Sequence, residues 1–224
     1  MTVLRCDPTH SLTDGTPSVL KPVSRRIAAL GCALVLSIGS MLLAATPASA
    51  TNFSGITGLT GCDDLNQADN ATHTFNYISL GADNTAATDW VRSNVINPTV
   101  INTSIDSTPD ELTDVNVIDK RYVDYCGYNW YTPSGGGVIG AAKCDLLSPT
   151  NRCDRHTVRY TNTWTDTAST TGRRWLACHE NGHALGLKHR NENADGCMSP
   201  SYVNAATSTV AYSLHDKAHL SDNY

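Results

Sequence analysis

The chain has 224 residues, of which 17% are charged, and its formal net charge is −5. Its length and mixed composition fit one globular domain with a single hydrophobic core. Acidic residues outnumber basic ones by 21 to 16, and residues 51–224 contain no run of basic residues. Nothing in this composition therefore indicates binding to nucleic acid or to an anionic membrane surface.

The first fifty residues predict a targeting segment. Arg25 and Arg26 form a basic region, residues 27–43 are uncharged and largely apolar, and Ala48-Ser49-Ala50 supplies a small-residue cleavage site. Residues 1–50 are therefore expected to be a signal peptide, which leaves a secreted, extracellular chain over 51–224 with no membrane contact. An uncleaved membrane anchor is the alternative, because seventeen such residues approach the lower limit for a span.

Four strands are predicted after an irregular N-terminal arm, and two of them, over 73–80 and 155–164, show alternating apolar and polar residues. The four strands lie at 73–80, 115–123, 138–142 and 155–164. Apolar residues at helical spacing predict a helix over 82–97, which Pro98 ends.

A second helix is predicted over 171–185, followed by a turn over 195–202 and a closing helix over 213–221. Ser213 is predicted to be the N-cap of the closing helix, with Asp216 at position N3. This pair is similar to the capping box. The order of these elements predicts an α/β (α+β) fold with a mostly parallel sheet, in which an edge strand can run against the others.

Residues 179–189 have the spacing H-E-x-x-H-x-x-G-x-x-H. His179 and His183 are four residues apart, so both imidazoles lie on one face of a helix, about 40° apart around its axis. Glu180 lies about 100° further round, where it could act on a water held by the metal without being a ligand itself. This pattern predicts a metal site with a general base beside it.

His189 could not reach this site if the helix simply continued, because it would lie about 9 Å beyond His183 along the axis. Gly186 can take a positive φ and end the helix in a sharp turn. The chain would then fold back and bring His189 into the third ligand position. Surface histidines on a helix with a glycine cap are the alternative to this interpretation.

Six cysteines remain after residue 50, and an even number in an exported chain predicts three disulfides with fifteen possible connectivities. Cys144 and Cys153 flank a short polar loop and are the most plausible local pair. A bridge from Cys178 to Cys197 would tie the helix of the metal site to the segment beneath it. Zinc ligation by cysteine is the rival assignment, but the chain has no C-x-x-C pair.

The chain resembles the metzincins, a group of zinc endopeptidases, and is most similar to small matrixin-like members. The residues that carry the resemblance are the motif over 179–189 and Met198-Ser199-Pro200, which is similar to the matrixin methionine turn. Weaker similarity extends to a strand and tryptophan over 158–164, an edge strand over 137–142 and a last helix over 212–224. The aspartate-rich calcium and second-zinc loops of matrixins are not recognisable.

The resemblance implies a mixed twisted sheet with an active-site helix, a methionine turn and a C-terminal helix, all within one catalytic domain over 51–224. It implies one catalytic Zn²⁺ and an endopeptidase that acts, as a monomer, on an extended peptide or protein segment. Glu180 would be the general base towards a zinc-activated water. Gly186 and Met198 would support the site, although Met198 could also be a plain core methionine. The implied zinc ligands are His179, His183 and His189.

Three alternatives accompany this prediction. A secreted zinc-binding scaffold or binding protein without turnover is the first, although such a site would not require a carboxylate at Glu180. A zinc hydrolase that acts on an ester is the second. His215 and His219 on the closing helix could hold a second metal, but packing of an amphipathic terminal helix is the simpler account of that pair.

Overall fold

The computed structural model describes residues 52–62, 65–121, 125–190, 196–200, 202 and 209–224. The predicted signal peptide therefore lies outside the described residues, as do the end of the strand predicted over 115–123 and parts of the turn predicted over 195–202.

Six strands and four α-helices make up the described fold. The strands are β1 (Gly61–Cys62), β2 (Thr72–Ile78), β3 (Asn102–Ile105), β4 (Val115–Lys120), β5 (Gly140–Leu147) and β6 (Cys153–Thr161). The helices are α1 (Ala82–Val91), α2 (Asn162–Thr165), α3 (Thr170–Ala184) and α4 (Leu214–Asn223).

The strands form one mixed sheet in the order β1-β5-β6-β4-β2-β3. Strands β2, β3, β4 and β6 pair in parallel, whereas β5 runs antiparallel to β6 and β1 runs antiparallel to β5. The predicted α/β class with a reversed strand near one edge is confirmed.

Helices α1 and α3 pack against each other, and α3 also contacts β5 and β6. Phe75, Val117, Val158 and Leu176 belong to the buried cluster between these elements, and each is at most 2% exposed. Burial of this apolar surface stabilises the arrangement of the sheet and α3. Within the described residues, no helix combines the length and apolar character that crossing a bilayer requires.

The helix predicted over 82–97 is present, but its last turn is π-helical over Arg92–Ile96, where the Asn97 N–H donates to the Arg92 carbonyl at 2.9 Å. The strand predicted over 155–164 ends earlier than expected, at Thr161. Trp164 therefore lies in the short helix α2, where the Asp166 N–H closes a turn on the Asn162 carbonyl at 2.9 Å.

Three disulfides join the six cysteines after residue 50. The two pairs suggested by the sequence are present, namely Cys144–Cys153 between β5 and β6 and Cys178–Cys197 between α3 and the following turn. The third, Cys62–Cys126, ties β1 to the loop that precedes β5.

Candidate metal centre

Helix α3 carries three of the predicted site residues on its last two turns. Ser169 caps its N-terminus by accepting a hydrogen bond from the Gly172 N–H at 3.1 Å. From Trp175 onwards every residue of α3 is buried, so packing stabilises a helix whose two internal glycines would weaken it in isolation.

The helix ends in a Schellman motif centred on Gly186. The Leu187 N–H donates to the Gly182 carbonyl, and the Gly186 N–H donates to the His183 carbonyl, both at 2.9 Å. Gly186 has a φ of +89°, which a residue with a side chain rarely adopts. The chain reverses at this point, and the reversal brings His189 back beside α3.

The imidazoles of His179, His183 and His189 meet at their Nε2 atoms, and all three Nε2–Nε2 distances are 3.1 Å. Nitrogens around a tetrahedral zinc ion with bonds of about 2.05 Å lie about 3.3 Å apart, so this spacing is close to that of a zinc site. His179 and His183 are buried, at 5% and 6% exposed, whereas His189 is exposed.

Hydrogen bonds fix the tautomers of the two buried rings. His179 Nδ1 lies 2.7 Å from the Cys197 carbonyl, and His183 Nδ1 lies 2.7 Å from the Leu187 carbonyl. Because a carbonyl can only accept, each Nδ1 carries a proton and each neutral ring directs an Nε2 lone pair at the other. Hydrogen bonds among the rings cannot satisfy all three nitrogens, but one shared cation can, so the donor set fits Zn²⁺.

Burial favours the neutral form that metal binding requires. It lowers the pKa of His179 to about 4, against the opposing effect of the hydrogen bond to Cys197 and with a smaller contribution from His189. Burial also lowers the pKa of His183 well below its ordinary value, and the neighbouring rings of His179 and His189 add to this. Both rings are therefore neutral near pH 7.

The turn around Met198 supports two of the three histidines. The Cys197 carbonyl accepts from His179, and the Met198 carbonyl accepts a hydrogen bond of 2.9 Å from the N–H of Arg190, the residue after His189. Met198 is fully buried against α3. A Cβ added at Gly182 would lie 3.1 Å from Met198 Cε, so the methionine packs directly on the helix backbone.

The N-terminal arm holds the segment that carries His189. The Lys188 N–H donates to the Asn52 carbonyl at 2.6 Å, and the Ser54 N–H donates to the Gly186 carbonyl at 2.8 Å. The Asn52 side chain in turn donates to the carboxylate of Asp216 in α4 at 2.7 Å. The N-terminal arm and, through it, α4 therefore fix the reversal after α3.

Glu180 lies beside the histidines and is only 4% exposed. A Cβ added at Gly140, the first residue of β5, would lie 2.7 Å from Glu180 Cδ, so the carboxylate packs against the backbone of that strand. Burial raises the pKa of Glu180 to about 8. A carboxylate in this environment can accept and hold a proton near neutral pH.

A cleft of about 920 Å³ contains the three histidines and Glu180. Trp175, one helical turn before His179, stacks on the His179 ring with centroids 4.9 Å apart. Residues 140–142 of β5 also line the cleft. The described part of β1 pairs with β5 only at Lys143 and Cys144, which leaves the outer edge at 140–142 without a described strand partner.

The other described histidines form no comparable cluster. Within the described residues, the one further group close enough to share an ion is Cys144, Cys153 and His156, and its two cysteines form a disulfide. His215 and His219 lie 4.8 Å apart between ring centroids, and His219 stacks on Phe53 at 5.6 Å. This packing agrees with the prediction that His215 and His219 belong to an amphipathic terminal helix and do not hold a metal.

Comparison with known families agrees with this geometry. The sequence model of the matrixin family (Peptidase_M10) matches residues 138–224, which include β5, β6, α3, the methionine turn and α4. This match over 138–224 supports a matrixin-like metzincin. No curated protein gives a significant match to the chain.

The match suggests a metallopeptidase, which would act on peptide or protein substrates, and matrixins are zinc-dependent in general. Sequence reasoning missed several residues that shape the matrixin-like site, among them Gly140, Trp175 and Gly182. Gly182 had a detectable signal, because a glycine inside a helix costs stability and often marks close packing. The contact of Gly140 with Glu180 joins distant parts of the chain and had no such local signal.

Proposed function

We propose that the chain is a secreted zinc-dependent endopeptidase in which His179, His183 and His189 hold one Zn²⁺ and Glu180 is the general base. The observation that carries the proposal is the meeting of three Nε2 atoms at 3.1 Å beside a buried carboxylate in an open cleft. Gly186 and Met198 support this site through the helix end and the turn beneath it.

Bound zinc would supply Lewis acidity towards a water molecule and the scissile carbonyl. Glu180 would accept the proton of the attacking water and pass it to the leaving amine. Its contact with the Gly140 backbone limits the positions that its carboxylate can take. The hydrogen bonds from His179 and His183 to backbone carbonyls keep their Nε2 lone pairs directed at the ion.

The outer edge of β5 favours a peptide substrate over a small ester. An extended peptide could add to this edge at 140–142 through backbone hydrogen bonds, next to Glu180. The scissile bond would then lie beside the three histidines. In this proposal the mature enzyme is a monomer that begins at Thr51, and N-terminal sequencing of the exported protein would test that start.

The substitution Glu180→Gln tests the general base. It keeps the size of the side chain, so the variant should bind one zinc per chain as the wild type does, while casein hydrolysis falls about a thousandfold. Glu111→Gln, at an exposed position, is the matched control and should retain full activity.

Two results would contradict the proposal in different ways. Undiminished hydrolysis by the Glu180→Gln variant would exclude this residue as the base. A wild-type protein that binds zinc and cleaves neither casein nor gelatin would instead indicate the scaffold without turnover. Inhibition of wild-type cleavage by 1,10-phenanthroline, and its recovery on addition of zinc, would support the metal-dependent reaction.

A further inference from the structure

Trp175 and His179 lie on the same face of α3, because residues four apart in a helix are neighbours. The indole and the imidazole are stacked, with ring centroids 4.9 Å apart and an angle of 25° between the ring planes. Trp175 is 3% exposed and lines the cleft beside the three histidines. The proposed reaction assigns no role to this tryptophan.

Neighbouring rings hold the indole in place. Tyr202, which follows the methionine turn, contacts Trp175 with ring centroids 5.3 Å apart. The Tyr202 ring in turn meets Trp164 of α2 edge to face, with centroids 5.5 Å apart. Rotation of the indole away from His179 would therefore displace aromatic side chains from two other segments of the chain.

Two different kinds of contact hold the ring of His179. Its Nδ1 donates to the Cys197 carbonyl at 2.7 Å, which directs the Nε2 lone pair towards the other two histidines. A hydrogen bond to a carbonyl tolerates a broad range of ring tilts. The face of the Trp175 indole narrows that range, because the imidazole packs flat against it.

The stack between Trp175 and His179 should strengthen when a metal ion binds. Coordination of a divalent cation by Nε2 draws electron density from the imidazole and gives that ring a partial positive charge. The face of an indole is negative, and tryptophan is the best aromatic partner for a cation. Since this charge is present only in the metal-bound state, the buried indole stabilises that state more than the metal-free state.

We infer that Trp175 is a positioning residue for the zinc centre: its indole face holds the imidazole of His179 and favours the metal-bound form of that ring. The inference rests on the zinc site of the proposed endopeptidase and adds to it a residue outside the ligand set. The quantity it concerns is the affinity for zinc, which is measured without substrate.

Competitive zinc titration of variants at position 175 tests this role. Trp175→Leu keeps an apolar side chain but removes the ring, so its zinc affinity should fall by about tenfold. Trp175→Phe keeps a smaller aromatic face on His179 and should recover most of that loss. In the cobalt-substituted protein, the d–d absorption bands report ligand geometry. They should change in Trp175→Leu and stay near those of wild type in Trp175→Phe.

Phe75→Leu is the matched control, because Phe75 is a similarly buried aromatic residue, 2% exposed, that lies in β2 and does not line the cleft. Loss of its ring should lower the melting temperature, as Trp175→Leu does, while the zinc affinity stays at the wild-type value. The comparison separates the effect of the indole on the metal from the general cost of removing a buried ring.

Fluorinated tryptophan at position 175 alone keeps the packing and so gives a test even if Trp175→Leu does not fold. Added fluorine withdraws electrons from the indole face with little change in its shape. The zinc affinity should therefore fall in steps from tryptophan to its mono-, di- and trifluorinated forms. The melting temperature of the zinc-free protein should stay constant along this series.

A zinc affinity that is constant along the fluorinated series, or that Trp175→Leu lowers no more than Phe75→Leu does, would overturn the role of Trp175 and leave the endopeptidase proposal standing. A wild-type protein that binds zinc with the expected order of affinities among the variants, but cleaves no casein, would support the role of Trp175 and overturn the endopeptidase proposal.

Discussion

Gly182 and Met198 are in direct contact, because the absence of a side chain at Gly182 leaves room for the methionine against the backbone of α3. Met198 is fully buried, and the preceding residue, Cys197, accepts the hydrogen bond from His179 Nδ1 at 2.7 Å. The position of the methionine turn and the orientation of a proposed zinc ligand therefore depend on the same contact.

Gly182→Ala should destabilise the protein even though alanine is the better helix former. A Cβ at this position would overlap the Met198 side chain, and overpacking of this kind costs about 1–3 kcal/mol. Displacement of the turn should also weaken zinc binding through His179. Thermal unfolding and a competitive zinc titration would measure the two effects.

Gly172→Ala is the matched control, since it adds the same methyl group to the same helix. The nearest atoms there, in Trp164 and Tyr202, would lie 3.3 Å from the new Cβ, and the gain in helix propensity offsets this mild crowding. We expect its melting temperature and zinc affinity to stay near those of wild type. Equal changes of melting temperature and zinc affinity in Gly182→Ala and Gly172→Ala would show that the contact with Met198 is unimportant.

The helix and its end could be predicted from the sequence because their determinants are local. Spacing alone indicated that His179 and His183 share a face, and the reversal needed for His189 pointed to a positive φ at Gly186, which is observed. The strands with alternating apolar residues were predicted for the same reason, since each buries one face against the helices.

Other features could not be predicted because they depend on distant parts of the chain. Strand β3 (Asn102–Ile105) is mostly exposed and has no apolar alternation, so its pairing with β2 had no local signal. The backbone pairing of Asn52 with Lys188 likewise joins segments more than 130 residues apart. The strand predicted over 155–164 extended too far towards the C-terminus. The pattern of its side chains did not reveal that the strand ends at Thr161 and that α2 begins at Asn162.

Acid should destabilise the zinc-free protein partly through His156, which is 3% exposed in β6. Burial and, to a smaller extent, nearby His73 lower its pKa to about 3, against the opposing effects of a backbone hydrogen bond at Asn66 and of the carboxylate of Asp145. In the unfolded chain the pKa is about 6.5. Between these two values the unfolded state binds a proton that the folded state does not.

The contribution of His156 to the free energy of unfolding should therefore be complete above pH 6.5. It should be lost as the pH drops towards 3, by up to about 1.4 kcal/mol per pH unit. Urea denaturation of zinc-free protein at pH 7, 6 and 5 would measure the slope. His156→Gln removes the titrating group, so its slope should be shallower than that of wild type. Identical slopes would mean that His156 does not contribute to acid sensitivity.

The disulfide Cys178–Cys197 should affect zinc binding as well as stability, because its two residues flank the hydrogen bond that orients His179. The double substitution Cys178→Ser with Cys197→Ser opens a loop with a sequence separation of 19 residues, which should cost about 3 kcal/mol. Loss of this disulfide should also let the Cys197 carbonyl move away from His179, so we expect weaker zinc binding.

The pair Cys144–Cys153 provides the matched control. Its sequence separation is 9 residues, so the corresponding double serine variant should lose a similar free energy of unfolding, about 2.7 kcal/mol. It connects β5 to β6, and neither of its cysteines lines the cleft that contains His179, His183 and His189, so the zinc affinity of this variant should equal that of wild type. Chemical denaturation and competitive zinc titration of both variants would separate stability from site geometry. If the two variants lose zinc affinity equally, general destabilisation rather than the orientation of His179 explains the loss.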